Sequence, residues 1–237
     1  MSTAKRPRFP GGGRYLRLRP HLVQRFGATV HKVTLRAGFA CPNRDGRIDT
    51  NGCIFCSEDS LLPETPNAHG HLEEQLAAGL KHNWYRQKTR LAIAYFQEGC
   101  ATDAPVATLR GIYTPAISHE QVVGISVGTR PDVLDEAVLD LLGELALRKP
   151  VWLELGLQCA DDAMLTRLGR NHSVADVVRA TTAARERGLE VVAHVILDLP
   201  GGTAALRRAT AGLIGELGIQ GVKIHNLHVL EGTPLAQ

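Results

Sequence analysis

No stretch of eighteen consecutive apolar residues occurs in this 237-residue chain, so nothing in it reads as a membrane-spanning helix. No apolar segment follows the basic N-terminus, so no export signal is expected, and free cysteines in such a chain suit the reducing cytoplasm. No internal repeat or low-complexity linker divides the sequence, and one large α/β domain is the expectation at this length. Acids are missing altogether from the first 44 residues, which hold ten of the 27 Lys and Arg. The rest of the chain sets seventeen bases against all 24 acids, a net of −7. A basic arm on an acidic body is a candidate polyanion-binding element, or else a solvated tail that keeps the protein soluble. Residues 1–13, with Pro7, Pro10 and Gly11 to Gly13, show no periodicity and are expected to be disordered or loosely attached. Tyr15 to Phe26 reads as a strand or a short helix leading into the body.

Cysteine is scarce, yet three of the five fall within sixteen residues, Cys41, Cys53 and Cys56. Cys53 and Cys56 have two residues between them, a spacing that lets two thiolates grip one metal centre, and an Asn-, Asp- and Gly-rich loop can bring Cys41 back to them. A closed structural zinc site and an electron-transfer iron–sulfur cluster each take four protein ligands. Three leave one position open, which is a catalytic feature. All-thiolate ligation favours iron–sulfur over magnesium, calcium or manganese. The alternative is a zinc loop closed by a histidine, with His31 as candidate.

Ala37 to Gly46 (Ala-Gly-Phe-Ala-Cys-Pro-Asn-Arg-Asp-Gly) followed by Asn-Gly-Cys-Ile-Phe-Cys at 51–56 resembles the cluster loop of radical S-adenosylmethionine enzymes. More narrowly it is similar to the YhcC/YtqA-type branch, related to the Elongator catalytic subunit and oxygen-independent coproporphyrinogen oxidase. The resemblance runs from about His31 to Leu235. It implies a [4Fe-4S] cluster on the three cysteines, S-adenosylmethionine on the open iron, reductive cleavage to a 5′-deoxyadenosyl radical, and an external electron donor of flavodoxin or ferredoxin type.

Apolar or β-rich runs at His31–Arg36, Leu91–Gln97, Val122–Gly128, Val151–Gln158, Glu190–Leu197 and Gly221–Val229 alternate with helical patterns. The helices fall at Leu72–Thr89, Pro105–Ile117, Leu134–Leu147, Ser173–Arg187 and Thr203–Leu217. Ser173 with Asp176 reads as a capping pair and Gly188 as a stop. Six near-continuous strands separated by helices predict a parallel sheet with right-handed connections. By the resemblance this sheet curls into an open (β/α)6 partial TIM-like barrel. A basic arm at 1–30 precedes a radical core at 31–237, which ends where similar proteins continue, leaving one barrel flank without its usual cover.

Chemistry in such barrels gathers at the C-terminal strand ends. There the resemblance assigns Gln97 and Glu98 to the amino group of S-adenosylmethionine, Gln158 to its ribose, and Arg170, twelve residues on, to its carboxylate. An amide suits a sugar diol, and a guanidinium fork suits a carboxylate. The Thr129-Arg130-Pro131-Asp132 turn is similar to that of Elongator-type enzymes, but Gly128 stands where a ribose-binding glutamate is usual. Glu154, facing the same side as Gly156 and Gln158 by alternation, is a candidate to supply that contact. Asp198 adds, and Gly202 removes, a carboxylate near the adenine region. On the last strand His225 shares a face with Lys223, and Asn226 with His228; the pattern does not say which face lines the cavity. No catalytic residue toward substrate is readable. The Elongator relationship and the basic arm lean toward tRNA or another RNA; a zinc-stapled RNA-binding module is the alternative. Nothing in the sequence speaks to oligomeric state.

Overall fold

The computed structural model describes Phe9, residues 13–57, Asn67 and residues 69–237. The expected disorder of residues 1–13 lies, Phe9 and Gly13 apart, outside the described residues. Six strands, β1 (Val30–Leu35), β2 (Leu91–Phe96), β3 (Val122–Thr129), β4 (Val151–Gln158), β5 (Glu190–Ile196) and β6 (Gly221–His225), pair in sequence order. Every neighbouring pair is parallel. The sheet curls into a half-barrel that stays open between β1 and β6. Helices α1 (Leu18–Phe26), α2 (Leu72–Gln87), α3 (Val106–Ser118), α4 (Glu136–Ala146), α5 (Asp162–Arg167), α6 (Val174–Glu186) and α7 (Ala204–Glu216) accompany it. Among the described residues none is long and apolar enough to cross a membrane.

Four of the helices start on a side-chain cap. Asp135, Asp161, Ser173 and Thr203 accept the backbone N–H three residues on, filling one of the donors a helix leaves open. The Ser173–Asp176 pair closes a capping box as expected. The main core lies between sheet and helices, around Phe96, Leu109, Tyr113, Ile125, Leu142 and Leu153. β4, at the centre, is buried at all eight positions. Two elements differ from the sequence reading. β6 ends at His225 rather than Val229, and Asp162–Arg167 forms a helix too short to show a helical period.

Tyr15–Phe26, open between strand and helix in sequence, is helical from Leu18 and stops at Gly27, whose φ of 71° is left-handed. α1 does not hang free. Leu22 is buried against Val30, Ile93 and Trp152, the Phe26 ring meets Trp152 edge-on at 6.5 Å, and Arg25 pairs with Glu190 at 2.6 Å. These partners lie toward the N-terminal ends of their strands, so α1 plugs the floor of the half-barrel and leaves the C-terminal end for the site. Truncating Leu22 to Ala should therefore lower stability by about 2–5 kcal/mol. Leu18→Ala, on an exposed face, should stay within about 0.5 kcal/mol. Urea unfolding distinguishes them, and equal effects would mean that α1 is not part of the core.

Candidate functional site

The loop after β1 is a rigid seat. Within it Arg44 and Asp45 donate to the Cys41 carbonyl (2.8 and 3.0 Å), Ile48 to Pro42 (2.8 Å) and Cys56 to Cys53 (3.0 Å). Its anchors come from two other strand ends. The Cys100 amide donates to Ala40 (2.9 Å) and the Ile54 amide to Leu168 (3.0 Å). Asn43 Nδ2 donates to the Gly169 carbonyl at 2.7 Å, and Asn171 bridges Asn43 and Asp49. Glu98 accepts from Arg36 Nε at 3.2 Å and the Gly38 amide at 2.8 Å, so its carboxylate clamps the loop as well as facing the chamber. Gly99 must be glycine: its φ is +56° and a Cβ would lie 2.2 Å from the Phe39 carbonyl.

A chamber of about 400 Å³ opens at the C-terminal strand ends. Cys41, Cys53, Cys56, Gln97, Glu98, Glu154, Gln158 and Arg170 all line it. Asp198 does not; it is exposed beyond β5. His31 is also absent from the lining, and its pKa is lowered by burial and by Arg19 of α1, so His31 is not the histidine that could close a zinc site here. Among the described residues no three His, Cys, Asp or Glu stand close enough to hold one metal ion. A four-iron cluster sits between its thiolates and holds them farther apart than one ion does. The donor set on one wall, all thiol, is the set such a cluster takes.

Cys100, remote in sequence, enters the same lining. Its thiol hydrogen-bonds Cys41 and holds it down at about 6 against burial, with the Asn43 amide, Arg130 and Arg170 assisting. Cys100 itself is pushed up by that bond and by burial. Burial and the Cys53 charge raise Cys56, Arg44 opposing. Cys159 stands apart, in an apolar cluster with Met164 and Ile196.

Arg170 sits on a loop bent by left-handed residues on both sides, Gly169 (φ 66°) and Asn171 (φ 54°). Its guanidinium donates to Cys53 Sγ and the Gly156 carbonyl, both at 3.2 Å, while its buried Nε has no partner. A side chain at 156 would meet Arg170 Nη2 at 2.7 Å, so Gly156 clears the space for it. Arg130 supports the loop by donating to the Arg170 carbonyl at 2.7 Å and chelating Asp132. Gln158 holds a positive φ of 63° beside a register shift in β4. That conformation at the strand end turns the Gln158 side chain to the chamber.

Glu154 is engaged from every side. Oε1 takes Lys32 and Ser126. Oε2 takes Tyr95 OH at 2.9 Å and His194 Nε2 at 2.6 Å, with Lys223 Nζ at 4.0 Å. Burial alone would raise this carboxyl; the His194 bond and Lys32 outweigh it and hold it well below the usual carboxylate range. With both oxygens taken, Glu154 is a hub of the barrel interior rather than a free ribose acceptor. Sequence reading passed over Lys32, Tyr95 and His194, and left open whether Lys223 and His225 face the cavity. The alternation on β6 was the available signal, and it places Lys223 and His225 on the chamber side. The β6 residues facing away, Val222 and Ile224, are exposed, which is why both faces of that strand looked alike.

Residues 50–214 match the family model of the radical SAM superfamily. The chain is 44% identical to Protein YhcC of Escherichia coli over 217 residues, 91% of this chain and 69% of that protein. It is 38% identical to protein YtqA of Bacillus subtilis over 224 residues, 94% and 70% of the two chains. A shorter likeness, 32% identity over 123 residues (51% of this chain, 26% of the relative), joins it to a tRNA uridine(34) acetyltransferase of Dehalococcoides mccartyi. Among solved structures the fold is similar to Elp3 of Methanocaldococcus infernus (TM-score 0.61, 18% identity). That match covers 87% of this chain and 48% of the other, so the chain spans about half its length.

A buried histidine two residues beyond Arg170 gives a pH test. Burial, reinforced by the Arg170 and Arg130 charges, holds His172 down at about 3. The unfolded chain binds that proton near 6.5 and the folded one resists it, so His172 costs no stability above pH 6.5 and progressively more as pH falls toward 3. Between pH 7 and pH 5 the parent should lose about 2 kcal/mol that His172→Gln does not. Parallel pH profiles in urea unfolding would show that His172 is not held neutral.

Proposed function

The chain belongs to the radical SAM superfamily, and from that premise we propose that Cys41, Cys53 and Cys56 hold its [4Fe-4S] cluster. Arg170, Gln158 and the end of β2 then orient S-adenosylmethionine. The observation that carries this reading is convergence: a three-cysteine loop after β1 and an arginine after β4 line one chamber, and the buried Arg170 Nε lacks a partner. When bound, the pair supplies one-electron reductive cleavage of S-adenosylmethionine and a 5′-deoxyadenosyl radical. The protein's own work is to bind, orient and exclude competing reactions. Arg170 gives the cofactor carboxylate a charge-assisted partner, and the Gln158 amide reaches a sugar diol. Glu98 fixes the loop so that the thiols stay in register. An external flavodoxin- or ferredoxin-type donor provides the electron, and the cytoplasm is where the chain works.

Anaerobic reconstitution with iron and sulfide tests the assignment. Cys53→Ala and Cys56→Ala should abolish the brown chromophore, while Cys100→Ala and Cys159→Ala keep it. Arg170→Ala should retain iron yet bind S-adenosylmethionine more weakly by roughly 1.5–3 kcal/mol. Bleaching by Cys159→Ala, or calorimetry with equal affinity in Arg170→Ala and parent, would overturn the respective roles. Tight zinc without colour would favour the zinc-stapled module.

An RNA, tRNA among the candidates, is the macromolecular partner that the basic segment and the tRNA-named relative support. Arg14, Arg17 and Arg19 are exposed, so they can meet phosphates while Leu22 keeps α1 docked. Changing all three to Gln should lower RNA affinity and reduce the log–log salt slope by about 0.7–0.9 for each phosphate that is no longer neutralised. An unchanged slope would leave the segment a structural plug and solvated tail.

A further inference from the structure

A second cavity, about 620 Å³, lies beneath the chamber and opens at the gap between β1 and β6. Most of its wall is apolar, with Ile93, Trp152 and Val192 prominent and the exposed Ile224 at its rim, yet Lys32, Ser126, Glu154 and Lys223 also face it. Glu154 and Lys223 line both spaces. Two ammonium groups here share one carboxylate. Lys32 is bonded directly to Glu154, but Lys223 Nζ stands 4.0 Å away and donates instead to Tyr95 OH at 2.9 Å. The remaining titratable groups do not cancel the surplus. Glu190 is paired with Arg25. His194 and His225 have pKa values lowered by burial, His225 to about 4, which leaves both neutral. A pocket of mostly apolar wall with a few converging polar groups is the usual form of a small-ligand site, and this one carries one uncompensated positive charge.

We propose that this cavity holds a singly charged oxyanion of the substrate, a carboxylate or a phosphodiester, against Lys223 and Lys32, with the rest of the substrate directed into the chamber. The inference deepens the proposed function by naming the substrate's chemistry, and it rests on that reading for what the bound group is for. Burial disfavours the charged form of Lys223, a penalty that an anion beside it would offset. A neutral isostere would leave the second ammonium with only its more distant share of Glu154, so the site discriminates by charge as well as by shape.

Equilibrium dialysis with labelled benzoate, benzamide and diethyl phosphate, on the protein with and without reconstituted cluster, tests the proposal. Saturable binding of benzoate or of diethyl phosphate, at least tenfold tighter than benzamide, is expected, and whichever binds identifies the carboxylate or phosphodiester source. Lys223→Met should lose that preference and Lys223→Arg should keep it. Circular dichroism identifies any variant that fails to fold, and Lys32→Gln then provides a second loss of charge in the same wall. Equal binding of benzoate and benzamide, no saturable anion binding, or parent-like binding by both charge-removing variants would overturn the proposal. Anion binding on a protein that takes up no cluster would instead count against the radical reading and leave this site standing.

Discussion

One buried carboxylate ties the barrel together. Glu154 on β4 receives a side chain from each of the other five strands: Lys32, Tyr95, Ser126, His194 and Lys223. A carboxylate removed from water is tolerated only when charge and hydrogen bonds replace its hydration. Here the replacement comes from the whole circumference of the sheet, so the curl of the half-barrel and the ionisation of Glu154 depend on each other. Such a hub is not a large source of stability in itself, because desolvation consumes most of the Coulombic gain. Its consequence is a fixed polar floor under the chamber, surrounded by apolar core.

Above that floor the site is built from loops held by backbone. The cysteine loop leans on the ends of β2 and β4 through main-chain bonds at Ala40 and Ile54, and Asn43 and Asn171 complete the junction. Left-handed residues at 158, 169 and 171 turn the β4 connection back on itself, bringing Arg170 against Cys53. A loop fixed in this way spends no ordering entropy when a ligand arrives. The cations Arg44, Arg130 and Arg170 gather around the chamber's thiols, an electropositive setting that favours the charged form, though burial outweighs it at Cys56.

The basic N-terminal segment is partly core and partly charged surface, a division that composition alone could not show. One face of α1 is core, through Leu22 and Phe26, and Arg25 is tied to Glu190. Arg14, Arg17 and Arg19 remain on the surface. The segment thus closes the floor of the barrel while Arg14, Arg17 and Arg19 keep their charge at the surface.

What the sequence by itself determined was whatever depends on local periodicity and spacing. Apolar runs alternating with helical patterns dictated six parallel strands and five of the seven helices, because burial on both faces of a strand leaves an unbroken apolar signature. The Cys41, Cys53, Cys56 spacing pointed to a three-thiol open site, since short chain separation alone brings those thiols near one another. The tertiary structure alone decided the encounters between strands. It put Cys100 beside Cys41, placed Asp198 outside the chamber, turned Glu154 from a candidate ribose ligand into the hub of five strands, and set Lys223 and His225 on the inner face. Those outcomes depend on register and curl, which bring together residues far apart in the chain, such as Tyr95 and Lys223 at a separation of 128. No window of sequence contains that information, because a strand's alternation shows that it has two faces but not which of them the curled sheet turns inward.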